Sequence, residues 1–129
     1  MTFSTVLTCM DGRIQKPAYD YLVERFGAPW VDTITETGIV SILSGCGRQE
    51  LLEAIFHRLD ISVRIHGSKF ISIVAHHDCA GNDVPKETQI LQLAKAEALL
   101  RERYPDLEII KLWIDEQWAV NELPTGQSS

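Results

Sequence analysis

Four short runs rich in β-branched and apolar residues, separated by stretches with helical spacing, constrain this chain more than any other feature. They are Phe3 to Thr8, Trp30 to Thr35, Lys69 to Ala75 and Leu107 to Ile114. After the first run, Tyr19, Leu22, Val23 and Phe26 fall on one helical face, with Pro17 as a first helical position and Gly27 as the stop. Glu36 to Gly47 carries Gly38, Gly45 and Gly47 and reads as mostly loop. Leu52, Ile55, Phe56 and Leu59 mark a second helix extending toward Gly67. Lys86 to Tyr104 reads as a third, with Ile90, Leu91, Ala94 and Ala98 inward and Pro105 closing it. A chain that alternates in this way buries its strands only by crossing over them with helices, which makes a parallel sheet. The expectation is therefore an α/β fold of three layers. Its mainly parallel sheet has four or five strands in the order 2-1-3-4, with helices on both faces.

The 129 residues suit one domain, read as residues 1–123, followed by a tail, 124–129, expected to be disordered. The formal charge of −6 leaves no basic surface for nucleic acid or anionic lipid, so neither is expected as a partner. No apolar run approaches the roughly 20 residues of a membrane span. The start, Met1 to Leu7, lacks the basic and apolar regions of a signal peptide. A cytoplasmic location follows as the expectation, and with it reduced thiols at Cys9, Cys46 and Cys79. An odd, sparse set of cysteines also argues against a disulfide framework.

Two of those cysteines fall where ligands bind in such folds, just beyond the carboxyl ends of strands. Cys9 follows the first run, and His76, His77 and Cys79 follow the third. A His three residues before a Cys lets one tight turn aim both side chains at a single point, and Cys9 can supply a third ligand from the neighbouring strand. Two thiolates and one imidazole suit zinc, which wants four tetrahedral ligands and keeps one position open where it is catalytic. Spacing alone barely separates His76 from His77. By contrast Cys46 reads as a small buried hydrophobe, and His57 and His66 as surface or capping residues. No phosphate-binding or dinucleotide fingerprint is present.

The turn Cys9-Met10-Asp11-Gly12-Arg13, joined to His76-His77-Asp78-Cys79, resembles the paired motifs of the β-class carbonic anhydrases, and most of all the short carbonic-anhydrase-like members. The likeness runs from about Thr5 to Ile114 by order of elements. It implies one zinc ion per chain held by Cys9, His76 and Cys79, so it prefers His76 over His77. It makes Asp11 and Arg13 the catalytic dyad beside the metal. The implied activity is a zinc-dependent lyase reaction, reversible hydration of CO2 to bicarbonate by a zinc-bound hydroxide, or hydrolysis of a related molecule such as COS or CS2. Gly38, Ile39 and Val40 become candidate substrate-binding residues, and pairing through the sheet edge makes a homodimer the expected assembly.

Two departures from that pattern stand out. Ala80 separates Cys79 from Gly81, and Glu36-Thr37-Gly38 replaces an Asn-Ala-Gly loop. The altered loop motivates a second expectation, a zinc-binding domain that is catalytically silent and serves regulation or assembly. A third is thiol chemistry at Cys9, activated near Arg13 at a helix start.

Overall fold

The computed structural model describes residues 2–46 and 48–125, apart from the side chain of Cys46. The burial expected of Cys46 and the disorder expected of 126–129 therefore fall outside the described residues. Strands β1 (Phe3–Thr8), β2 (Trp30–Thr35), β3 (Phe70–His76), β4 (Glu108–Ile114) and β5 (Val120–Leu123) form one sheet in the order β2-β1-β3-β4-β5. The first four run parallel and β5 pairs antiparallel to β4. β1, β3 and β4 are buried along nearly their whole length, as strands covered on both faces must be.

Helix α1 (Gly12–Phe26) covers one face. It begins earlier than Pro17, because the Asp11 side chain accepts the Arg13 N–H and caps the helix six residues upstream of the proline. That start fixes which face turns inward. Ile14, Ala18 and Leu22 are buried at i, i+4 and i+8, whereas Tyr19, expected inward, is 49% exposed. Gly27 ends the helix in the left-handed conformation, at φ 62°.

The stretch expected to be loop, 36–47, is largely helical instead. Helix α2 (Ile39–Ser41) leads into wide turns over Ile42–Cys46, kinked at Gly45. Ile39, Val40, Ile42 and Leu43 are all buried in the larger apolar cluster, and that burial outweighs the glycines' preference for irregular backbone. Helix α3 (Gln49–Asp60) continues through a wide turn, Ile61–Ile65, to Gly67.

Helix α4 (Lys86–Arg103) turns a different face inward from the one expected. Leu91 is 65% exposed and Ala94 and Ala98 face solvent, while Gln89, Gln92, Leu93, Ala96, Glu97 and Leu100 are buried. Each polar member of that face finds a partner where it lies, while Gln89 Oε1 is left without one. Gln89 donates to the His76 carbonyl at 3.0 Å, Gln92 accepts from Asn82 at 2.6 Å, and Glu97 pairs with Lys111 of β4 at 3.0 Å. Hydropathy alone places glutamine and glutamate outside, so the pattern pointed the wrong way.

Candidate metal centre

The order β2-β1-β3-β4 means that the chain leaves β1 toward one edge of the sheet and leaves β3 toward the other. The crevice between the two departures opens at the carboxyl ends of β1 and β3. Cys9 is the first residue beyond β1 and His76 is the last residue of β3. His76, the last residue of a strand covered on both faces, is buried (1% exposed), whereas His77 lies beyond the strand and is exposed, which separates the adjacent histidines in a way that spacing could not. A turn with Asp78 at φ 60° then brings Cys79 back to within 3.9 Å of Cys9, sulfur to sulfur. The ligand atoms of Cys9, His76 and Cys79 all lie within 4.8 Å of one another, and all three residues are buried.

The donor set fits a tetrahedral ion. Two sulfurs each about 2.3 Å from such an ion lie about 3.8 Å apart, close to the 3.9 Å seen here. His76 Nδ1 lies 2.8 Å from the His77 carbonyl, which can only accept, so Nδ1 carries the hydrogen. In the neutral ring that leaves a lone pair on Nε2. Nε2 is buried and has no hydrogen-bond partner, the mark of a nitrogen waiting for an acceptor of electrons.

The charges are arranged in the same sense. The Cys79 thiol donates toward the Cys9 sulfur and holds the Cys9 thiol well below its ordinary value, against the penalty of burial. His76 and the Gly38 N–H, which points at the sulfur from 3.4 Å, act in the same direction. Cys79, as the donor and as a buried group, is pushed up. Burial disfavours the charged form of His76, but the Cys9 sulfur, the His77 carbonyl and Asp11 together outweigh it and the net shift is upward.

Asp11 and Arg13 stand together at the rim. Arg13 Nε and backbone N–H both donate to Asp11 Oδ1, at 3.0 and 2.9 Å, while Arg13 Nη2 reaches Oδ2 at 2.6 Å. This fork, bonded through the Arg13 side chain first, lowers the Asp11 carboxyl to about 2 and raises the Arg13 guanidinium. Capping the helix and pairing with Arg13 are thus one arrangement rather than alternatives.

Gly38 approaches the centre closely: its N–H serves Cys9, and a Cβ on it would lie 2.4 Å from the Gly81 carbonyl oxygen. Ile39 and Val40 point into the core and are 1% and 2% exposed. Three contacts escaped the sequence reading. Gln89 braces the His76 carbonyl, Asp78 pairs with Arg13, and Trp118 faces the Arg13 guanidinium. Only Asp78, inside the His-x-x-Cys turn, carried a local signal. A separate cleft of about 230 Å³ lies beside β2 and is lined by Asp32, Arg58, Ser62 and His66 among others. There Asp32 already takes bonds from Ser62 and His66, at 2.7 and 2.6 Å.

Comparison with known proteins places this arrangement. A family model described as "putative carbonic anhydrase" matches residues 1–124. Among solved structures, the chain is similar to a tetrameric β-carbonic anhydrase from the filamentous ascomycete Sordaria macrospora. The TM-score is 0.63 at 12% identity, covering 97% of this chain and 82% of that one. It is also similar to the β-carbonic anhydrase CcaA, with a TM-score of 0.59, 10% identity and coverage of 95% and 80%. A third likeness is to CafA of the fungal pathogen Aspergillus fumigatus, with a TM-score of 0.55, 14% identity and coverage of 97% and 77%. No curated protein sequence matches.

Proposed function

This chain belongs to the family described as putative carbonic anhydrase, and from that premise we propose that it is a zinc-dependent lyase that hydrates CO2 reversibly to bicarbonate. The observation that carries the reading is the buried Cys9–His76–Cys79 triangle with an unpartnered Nε2, beside a carboxylate held by an arginine. Zinc held by those three residues would supply Lewis acidity that makes water a nucleophile near neutral pH. Everything else falls to the chain's own groups. Asp11, ionised at any physiological pH, accepts a hydrogen bond from the attacking water and orients its free lone pair toward the carbon of CO2. Arg13 keeps Asp11 in that role by occupying both of its oxygens. Gly38, whose N–H meets the Cys9 sulfur, would border a small linear substrate, with the buried Ile39 and Val40 behind it. COS and CS2 share that shape.

The test is metal content per chain by mass spectrometry, followed by stopped-flow CO2 hydration on the same preparation. About one zinc per chain, with hydration falling by about 10²–10⁴-fold in Asp11→Ala, is the expected result. One zinc without hydration would assign the chain to the silent metal-binding reading. No zinc after reconstitution would overturn the proposal.

A homodimer and a cytoplasmic location belong to the same proposal. β2 lies at the sheet edge, and Trp30 on it is 46% exposed. The thiolate ligands require a reducing compartment. Among the described residues no helix is long and apolar enough to cross a membrane.

A further inference from the structure

Among the described residues other than glycine, two hold a left-handed backbone, Asp78 at φ 60° and Trp118 at φ 61°. Both of them touch Arg13. Asp78 Oδ2 lies 3.3 Å from Arg13 Nη1, and the Asp78 carbonyl accepts from Nη2 at 3.2 Å. The Trp118 ring lies under the guanidinium, with Cζ 4.5 Å from its centroid. Asp tolerates a left-handed conformation, but for a residue as bulky as tryptophan it is a genuine outlier that the surroundings must enforce.

The turn between β4 and β5 does so around Asp115. The Asp115 carboxylate accepts from the Gln117 and Ala119 N–H groups at 2.9 and 3.0 Å and from Asn121 Nδ2 at 3.0 Å. The Trp118 N–H donates to the Asp115 carbonyl at 2.9 Å. Nothing in that bonding calls for an indole, and glycine would fit the backbone without strain. The indole packs by one side against the apolar cluster that includes Ile14 and Ala18 and by its face meets the cation, with the His77 ring edge-on at 6.2 Å. Arg13 is 46% exposed along its side chain, so a guanidinium with only Asp11 to hold it would exchange readily with solvent.

We infer that Asp78 and Trp118 are positioning residues that clamp Arg13, and through Arg13 keep the Asp11 carboxylate from becoming a ligand at the point where Cys9, His76 and Cys79 converge. The clamp rests on the metal reading proposed above. It explains why two left-handed residues from distant parts of the chain meet at one guanidinium. Asp78 sets one edge of the fork and Trp118 closes its face, so Asp11 cannot rotate inward unless Arg13 lets go of two neighbours at once.

The test uses Trp118→Gly, which relieves the backbone strain while removing the ring, with Trp118→Phe as the rescue. In the metal-free protein, hydrogen exchange at Arg13 Nε, assigned by its loss in Arg13→Lys, is followed by NMR. Exchange should quicken about threefold to fivefold in Trp118→Gly, the size of one exposed cation–π contact, and return toward the parent rate in Trp118→Phe. In cobalt-loaded protein, thiocyanate affinity read from the visible spectrum should weaken about threefold to fivefold in Trp118→Gly. Adding Asp11→Ala should restore it, because the competing carboxylate is gone.

A Trp118 that only packs leaves exchange and thiocyanate affinity unchanged in the glycine variant, whatever that variant loses in stability, and that overturns the clamp. Faster exchange with unchanged thiocyanate affinity in the loaded protein overturns it too. If cobalt does not bind the parent, the metal reading fails separately, and the exchange comparison alone supports or overturns the clamp.

Discussion

The left-handed glycines of this chain share a conformation but carry different costs of substitution, and the difference lies in what surrounds each. Gly27 and Gly38 both sit at φ 62°, yet a Cβ at Gly27 would meet nothing within 4 Å while one at Gly38 would run into the Gly81 carbonyl. Gly27→Ala should therefore cost only the left-handed penalty, about 1–2 kcal/mol. Gly38→Ala adds a backbone collision and should cost about 2–4 kcal/mol. Because the Gly38 N–H points at the Cys9 sulfur, Gly38→Ala should also weaken metal binding by about 10–100-fold, the usual size for a residue that supports a ligand. Urea unfolding and metal titration of the two variants check both claims, and equal costs at the two glycines would refute the argument. At this scale much was legible in the sequence. The residue types of Cys9, Asp11, Arg13, His76 and Cys79 and their spacing announce a ligand set and its dyad. The choice between His76 and His77 needed the strand register, and Trp118 was invisible as a neighbour because it lies 105 positions beyond Arg13.

Among the elements, α4 shows why a hydrophobic pattern can mislead. The helix packs between β3 and β4 with a face that includes Gln89, Gln92 and Glu97, and these groups are tolerated there only because partners meet them. Side chains of Glu97 and Lys111 are 6% and 10% exposed, and Arg101 also pairs with Glu97, at 2.7 Å. Removing the glutamate alone strands a buried ammonium. Glu97→Leu should cost about 3–5 kcal/mol, and the double variant Glu97→Leu with Lys111→Met should recover about 1–3 kcal/mol of that loss. Thermal unfolding of the single and double variants measures it; a double variant no more stable than Glu97→Leu would mean that the pair is not coupled. Strands were easier to foresee than helix faces. β1 and β2 match their expected limits and β3 and β4 fall within one residue of theirs, because short runs rich in β-branched and apolar residues mark a strand without any choice of face, whether buried on both faces like β1, β3 and β4 or at the edge like β2. α1 was misjudged by rotation alone, since the cap at Asp11 and not Pro17 set its start.

At the scale of the whole molecule, the proposed metal ties the ends of β1 and β3 together, and both strands lie at the centre of the sheet. An ion that binds only the folded chain stabilises it by mass action, about 4 kcal/mol when present at a thousand times its dissociation constant. For a chain of this length that corresponds to a rise in Tm of roughly 10–20 °C. Chelation should lower Tm by that amount, and Cys9→Ser should remove most of the difference; a Tm indifferent to chelator in zinc-loaded protein would contradict a metal at this position. What the sequence determined by itself was the class of fold and the kinds of chemistry available. Periodicity is a local property, and a cysteine or histidine declares its ligating capacity wherever it sits. What only the tertiary structure decided was which groups meet: the close approach of Gly38 to Gly81, the polar inward face of α4, and the enclosure of Arg13 by Asp78 and Trp118. Each of these depends on segments far apart in the chain being brought within a few ångströms, and no local pattern of residues encodes a distance to a partner it has not yet met.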